Sequence, residues 1–397
     1  MTLTDYGRRY LLLGLRIGKL IDGYVDSYFG PPKLSAMVDS EDKKSPKDLL
    51  VEGKSLLQGL TDEGFENERG KFLEKTLTAM ITSLEVLCGI NIPYLELVQR
   101  LFDIEPTLLD EQVFFDARDE LDPLFKGSES LGERIEKVRQ MNSIPPVQIG
   151  SIMKHGFEIV RTKTREVFND LLPEEETLSV QIVEKKPWTA YNWYKGNFKS
   201  RIDVNTDLPI EWDKILLLCS HEGYPGHHTE HVIKEKLLYR DNDRFEHAII
   251  FLLTPDAVIS EGIGNSGISV LFSSEEIVQI GLNKLCVNPS EQPSMETLLA
   301  RNHAFEKIIG FEGNLAINFL VNGWSDDQLI KYALQFGFPS EKLVRHLIAF
   351  LQSPVFAPYV FNYFFGEMLI KNKFGPRPSP ENFAQLLTQP ILPSDLR

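Results

Sequence analysis

Residues 216–231 read LLLCSHEGYPGHHTEH, an apolar run that changes abruptly into a cluster of histidines. Four of the chain's 8 histidines lie in this stretch: His221, His227, His228 and His231. A regular zinc-binding helix carries two histidines four residues apart, with a glutamate directly after the first. Here the residue four after His221 is Pro225, so a regular helix cannot supply that pair.

The dipeptide Pro225-Gly226 determines which histidines can meet. On a straight helix, six residues turn the chain through about 600°, which places His227 on the far side from His221. Seven residues return His228 to the same face but about 10 Å along the axis, too far for shared ligation. Proline breaks the helical hydrogen-bond ladder and glycine tolerates the resulting backbone. A bulge at this dipeptide would therefore restore His221 and His227 as a ligand pair.

A second arrangement needs no bulge. His227 and His231 are four residues apart and follow the inverted HxxEH order, with Glu230 as the base. His228 is a further alternative ligand beside them. A third interpretation treats the histidines as solvated or capping groups after a helix break, but four of them beside glutamates favour a metal site. The residues alone predict one divalent metal ion and leave its ligands open.

Outside this stretch the pattern predicts a mostly α protein. Apolar residues at helical spacing mark segments 8–26, 71–101 and 150–170. Alternating residues from 180 to 206 predict a small three-stranded sheet just ahead of the histidines, with Gly196-Asn197 as a turn. Pro145-Pro146 suggests an N-terminal helical lobe at 1–150 and a metal-binding lobe at 151–397, within one continuous domain of 1–397.

The composition narrows the classes of partner and compartment. The chain has 397 residues and a net charge of −15, which argues against nucleic acid and anionic membranes as partners. Its 3 cysteines, with no CxxC pair, fit a reducing compartment. The apolar stretch near Tyr10 is too short and too charged for a membrane span or a signal peptide. We therefore expect a cytoplasmic protein.

The motif His221-Glu222-Gly-Tyr-Pro-Gly-His227-His228 resembles the HExxPGHH signature of the bacterial domain-of-unknown-function family 885. Ser260-Glu261-Gly262 stands where that family has a Glu-Gly pair, and Tyr363-Phe-Phe-Gly366 resembles its Tyr-x-x-Gly. The resemblance covers most of the chain and is weakest in its N-terminal part. It implies a fold similar to the Taq-type zinc carboxypeptidases of the gluzincin group: a large, two-lobed helical protein around a cleft.

The resemblance also implies a ligand set. In the family the position of Glu230 is commonly Gln and that of His228 can be aromatic, which favours His221, His227 and Glu261 as ligands of a zinc ion. The sequence departs from the family pattern directly after Glu261, at Ile263-Gly264-Asn265. The resemblance therefore does not define the packing at these residues or around the expected substrate pocket.

A zinc ion with three protein ligands keeps a position for water, and Glu222 is then the expected general base. Tyr363 is the candidate donor to the oxyanion. The strand at 198–206 is a candidate to pair with a peptide substrate. Arg201 and Arg301 are candidates to bind a substrate carboxylate, and Asn205 is a further substrate-binding candidate.

These expectations describe a zinc-dependent peptidase, foremost a carboxypeptidase that hydrolyses short peptides, and related carboxypeptidases suggest a homodimer. Two other functions fit the same residues. One is a metal-dependent hydrolase of a non-peptide amide, and the other is an inactive, metallopeptidase-like binding protein. The intact set of His221, Glu222, His227 and Glu261 argues against the inactive protein.

Overall fold

The computed structural model describes residues 3–186, 188–288, 292–353 and 356–397. Helices account for 64% and strands for 7% of the chain, so the predicted mostly α class is confirmed. Within the described ranges, no helix combines the length and the apolar character needed to cross a bilayer.

The α-helices follow one another along the whole chain, and most begin at a serine, threonine, aspartate or proline that suits a helix start. Their bounds are α1 (Asp5–Gly18), α2 (Pro32–Ser40), α3 (Pro46–Gly59), α4 (Asn67–Leu87), α5 (Tyr94–Phe102), α6 (Glu111–Leu121), α7 (Leu131–Asn142), α8 (Pro146–Phe168), α9 (Ile215–Glu222), α10 (His227–Lys234), α11 (Pro255–Leu271), α12 (Ser274–Ile280), α13 (Met295–Glu306), α14 (Phe311–Leu320), α15 (Asp326–Leu334), α16 (Glu341–Leu351), α17 (Val360–Phe374) and α18 (Pro380–Thr388).

The predicted three-stranded sheet is present, and its strand order is β2-β4-β3. Its strands are β2 (Thr177–Val183), β3 (Ala190–Tyr194) and β4 (Lys199–Asn205). β4 pairs in parallel with β2 and antiparallel with β3, so both of its edges are occupied. The prediction that strand 198–206 pairs with a substrate is therefore wrong. β3 and β2 are the edge strands of this sheet.

A second, two-stranded sheet was not predicted. β1 (Val25–Tyr28) pairs antiparallel with β5 (Ile249–Phe251), more than two hundred residues away along the chain. The sequence assigned 25–26 to the end of the first helix, but that helix ends at Gly18 and the chain turns at Gly23, whose φ is +75°. This sheet joins residues of the range 1–150 to residues of 151–397. The division into two lobes stays a prediction.

Helix α11 lies at the centre of the helical packing and contacts α9, α10, α17 and α18. Its crossing with α17 is close because glycine faces glycine. A Cβ on Gly366 would lie 2.2 Å from the carbonyl oxygen of Val258 and 2.6 Å from the backbone nitrogen of Gly262. These glycines belong to the Glu-Gly and Tyr-x-x-Gly pairs of the sequence, and their contact fixes α17 beside Glu261.

We expect Gly366→Ala to lower the free energy of unfolding by about 1–3 kcal/mol, because the new methyl meets backbone that cannot move aside. Gly70→Ala is the matched control: a Cβ at Gly70, which lies in α4, would meet no other part of the protein within 4 Å, and alanine favours a helix. Chemical denaturation measures both variants. A Gly366→Ala protein as stable as the Gly70→Ala protein would contradict the close crossing.

Candidate metal centre

The helix that carries the histidines is interrupted where the sequence predicted a bulge. α9 ends at Glu222 and α10 begins at His227. The backbone nitrogen of Gly226 donates to the carbonyl of Ser220 at 2.9 Å. A Cβ on Gly226 would lie 2.1 Å from the carbonyl oxygen of His221, so only glycine fits this turn.

The interruption brings three predicted ligands together. The Nε2 atoms of His221 and His227 are 3.1 Å apart, although the residues are six positions apart in the chain. Glu261, on α11, places its Oε2 atom 3.3 Å from His221 Nε2. The three side chains offer one donor atom each, all within 4.8 Å of one another.

The hydrogen bonds of Glu261 leave one oxygen free. Its Oε1 accepts a hydrogen bond from the Tyr359 hydroxyl at 2.7 Å, whereas its buried Oε2 accepts no hydrogen bond from the described residues and lies 3.3 Å from His221 Nε2. Two ligands of a tetrahedral zinc ion lie about 3.3 Å apart, given zinc–ligand bonds of about 2.0–2.1 Å. The spacing of these donor atoms and the unpartnered oxygen therefore fit a divalent metal ion of the zinc class.

A second group of possible ligands consists of His227, Glu230 and His231. Both oxygens of Glu230 already have partners: Lys234 donates to Oε1 at 2.7 Å and Ser260 donates to Oε2 at 2.6 Å. Burial lowers the pKa of His231 to about 3, so its ring is neutral. These three residues could bind a metal ion together, but Glu230 would first have to lose its hydrogen bonds from the Lys234 ammonium and the Ser260 hydroxyl.

His228 lies apart from both groups. Its side chain is fully buried, with Nδ1 2.8 Å from the Ser200 hydroxyl and Nε2 3.0 Å from Glu176. The same carboxylate accepts hydrogen bonds from Tyr224 at 2.6 Å and from Arg161 at 2.8 Å. Because both ring nitrogens are engaged here, the alternative assignment of His228 as a ligand is wrong. This residue holds the Tyr-Pro-Gly turn in place.

Glu222 is buried at the carboxyl end of α9, next to the predicted ligands. Burial raises the pKa of its carboxyl above the usual value, and the neighbouring imidazoles of His221 and His227 oppose this shift. The backbone carbonyl of Glu222 accepts a hydrogen bond from the Asn192 side chain at 2.6 Å. Asn192 thereby caps a carbonyl that the end of the helix leaves without a helical partner.

Tyr363, the predicted oxyanion donor, lies on α17 and is 45% exposed. The negative charge of Glu261 raises the pKa of its phenol, and the charge of Glu222 adds to the shift. The phenol is therefore protonated at neutral pH and close enough to both carboxylates to feel their charges. These properties suit a hydrogen-bond donor at an open side of the site.

Asp26 and Tyr191 face the same region from the strands, and the sequence did not single them out. The Tyr191 hydroxyl donates to Asp26. Burial raises the pKa of Asp26 to about 6; the Tyr191 hydrogen bond and the nearby His227 oppose this shift, whereas Glu222 adds to it. Because Asp26 lies in a sheet formed by distant segments, no local pattern could reveal it.

The predicted substrate-binding residues have other partners. Arg201 forms an ion pair with Asp203 at 2.8 Å. Arg301 donates to the carbonyl of Leu124 at 2.8 Å, and its guanidinium lies 4.1 Å from the centre of the Phe125 ring. Asn205 has no exposed surface and donates to the carbonyls of residues 186 and 188, so its predicted contact with substrate is wrong. The two arginines stay predictions without a contact to the ligand cluster.

Three further residues hold the ligands and were missed: Ser260, Asn265 and Tyr359. Asn265 Oδ1 lies 3.1 Å from His221 Nδ1, and Ser260 Oγ lies 3.0 Å from His227 Nδ1. Asn265 lies one helical turn after Glu261 and Tyr359 one turn before Tyr363, and this spacing was the available signal.

No protein-family model and no curated protein matches the chain, so the resemblance to family 885 stays a prediction. Among solved structures, a candidate lipoprotein from Colwellia psychrerythraea is similar, with a TM-score of 0.51 and 14% identity. The alignment covers 89% of this chain and 66% of that one, so this chain spans about two thirds of its length. A candidate lipoprotein of unknown function from Shewanella oneidensis gives a TM-score of 0.42 and 11% identity, over 90% of this chain and 76% of that one. The first likeness concerns the fold alone.

Proposed function

We propose that the chain is a metal-dependent hydrolase that cleaves amide bonds, in the first place those of short peptides. One observation carries the proposal: the buried Oε2 of Glu261, which accepts no hydrogen bond within the described part of the chain, lies beside the paired Nε2 atoms of His221 and His227 and the buried Glu222. Two histidines and one glutamate are a common ligand set of catalytic zinc.

A divalent ion held by these residues would supply Lewis acidity and lower the pKa of an attacking water. Glu222 accepts the proton of that water and passes it to the leaving nitrogen, and its burial beside the proposed ligands positions it for this transfer. The Tyr363 hydroxyl donates a hydrogen bond to the oxygen that gains negative charge. Tyr359 holds Glu261 in one orientation.

The resemblance to family 885 and the Taq-type carboxypeptidases supports a peptidase among the amide hydrolases. Removal of a C-terminal residue requires a cation that binds the terminal carboxylate. Arg201 pairs with Asp203, and Arg301 contacts residues 124 and 125. Cleavage at the C-terminal residue of the substrate therefore stays a prediction.

Metal analysis of the purified chain tests the proposal. We expect about one zinc ion per wild-type chain. Glu261→Gln should lose most of it, because Glu261 supplies one of the three proposed ligand atoms. His231→Gln should keep it, because His231 lies outside the group formed by His221, His227 and Glu261. The reverse result for the two variants would move the ion to His227, Glu230 and His231. A wild-type chain that cannot be loaded with any divalent metal would reject the proposal, and digestion of a peptide library then tests cleavage by the loaded protein.

A further inference from the structure

The side of His227 that faces away from the other ligands lies against a series of polar groups. Its Nδ1 atom is 3.0 Å from Ser260 Oγ, and that hydroxyl is 2.6 Å from Glu230 Oε2. Lys234 donates to the other oxygen of Glu230 at 2.7 Å and to Asp256 at 3.0 Å. Glu230 is completely buried, and Lys234 is 5% exposed.

The position of each proton follows from what these groups can donate. Glu230 is paired with the Lys234 ammonium and, as a carboxylate, can only accept hydrogen bonds. The single hydrogen of the Ser260 hydroxyl therefore points at Glu230, and its oxygen accepts from His227. The Nδ1 atom of His227 must then carry a hydrogen, and in the neutral ring that metal ligation requires the lone pair lies on Nε2.

The position of the proton on His221 follows in the same way, from its contact with the neutral amide of Asn265. The Nδ2 atom of Asn265 donates to the backbone carbonyl of Tyr363 at 3.3 Å, so its Oδ1 faces His221 Nδ1 and accepts from it. The lone pairs on the two Nε2 atoms then point toward each other across 3.1 Å. Two facing lone pairs repel, so two neutral rings at this distance need a proton or a metal ion shared between them.

We propose that Ser260 and Glu230 are positioning residues that form a relay from His227, hold its ring as the Nδ1–H tautomer and direct Nε2 to the metal. The inference rests on the proposed metal site and adds the residues that set its affinity. The carboxylate at the end of the relay makes His227 a more basic ligand than an unsupported imidazole. His221, supported by an amide, lacks that charge.

The experiment measures zinc affinity by competition with a chelator of known affinity, in the wild type, Ser260→Ala and Glu230→Gln. We expect each variant to bind zinc about 10- to 100-fold more weakly, the usual effect of removing a partner of a ligating histidine. Ser269→Ala is the matched control, because Ser269 lies on the same helix and donates only to the carbonyl of Ser266 in the described structure. This control should bind zinc like the wild type.

A spectroscopic measurement separates positioning from a merely structural role. In the zinc-loaded wild type, the Nδ1–H proton of His227 should give a protected imidazole signal in the NMR spectrum, and Ser260→Ala should shift it or expose it to exchange with water. Unchanged affinity and an unchanged signal in Ser260→Ala would overturn the relay, and if that variant does not fold, unchanged affinity in Glu230→Gln would do so. A wild-type chain that binds no zinc would instead reject the metal site itself.

Discussion

Glu222→Gln is expected to reduce amide hydrolysis by about 10²- to 10⁴-fold while the protein keeps its metal. The amide has nearly the shape of the carboxylate, and the hydrogen bond from Asn192 goes to the backbone of residue 222, which the substitution does not alter. The helix end and the neighbouring histidines should therefore keep their positions. The loss then reports the missing base alone, and turnover at saturating zinc with an equal metal content measures it.

The control for this variant is Glu175→Gln, measured at the same zinc content, which should retain the turnover because Glu175 is exposed. Glu230→Gln is compared with both at saturating zinc, because Glu230 is the base of the inverted HxxEH order. Full activity in Glu222→Gln together with an inactive Glu230→Gln would show that the inverted motif operates and that Glu230 is the base.

The second large effect concerns stability. Glu176→Ala is expected to lower the free energy of unfolding by about 3 kcal/mol, because it leaves buried donors of Tyr224 and His228 and the charges of two arginines without their acceptor. Glu175→Ala is the control: Glu175 is exposed, and removal of its carboxylate should change stability by at most about 0.5 kcal/mol. Urea denaturation at pH 7 compares the three proteins.

The pH dependence of this difference gives a second measurement. Burial raises the pKa of Glu176, but hydrogen bonds from His228, Tyr224 and the two arginines outweigh it and hold the pKa at about 2, below the ordinary 4.5. A lowered pKa stabilises the folded state above the unfolded-state pKa, and that contribution disappears as the pH falls toward 2. The wild type should therefore lose its advantage over Glu176→Ala between about pH 4.5 and 2. An advantage that persists undiminished at pH 2 would contradict an ionised, hydrogen-bonded Glu176.

The local sequence was sufficient to predict those parts of the structure whose geometry is set by residues next to one another in the chain. Pro225 and Gly226 lie between the two histidines, and the constraints of proline and glycine leave few ways to connect the helices around them. The sheet of residues 177–205 was predictable as well, because its turn and its alternating residues lie close together in the chain.

Contacts between distant segments were not predictable. Glu174, Glu175 and Glu176 are identical in type and adjacent, yet only Glu176 is buried, because it lies against arginines of α8 and residues of the later turn. Tyr359 and Asp26 likewise owe their roles to packing against elements that lie far away in the chain. A single sequence contains no local signal for such partners.

The hydrogen bond from Asn192 to Glu222 links the small sheet to the residue proposed as the general base. β3 is an edge strand, and the Asn192 side chain links it to the end of the helix that carries the base. A displacement of this strand would remove that hydrogen bond from the end of α9 and would also disturb α10, which β3 contacts. The small sheet thus bears on the position of the proposed base and not only on the fold.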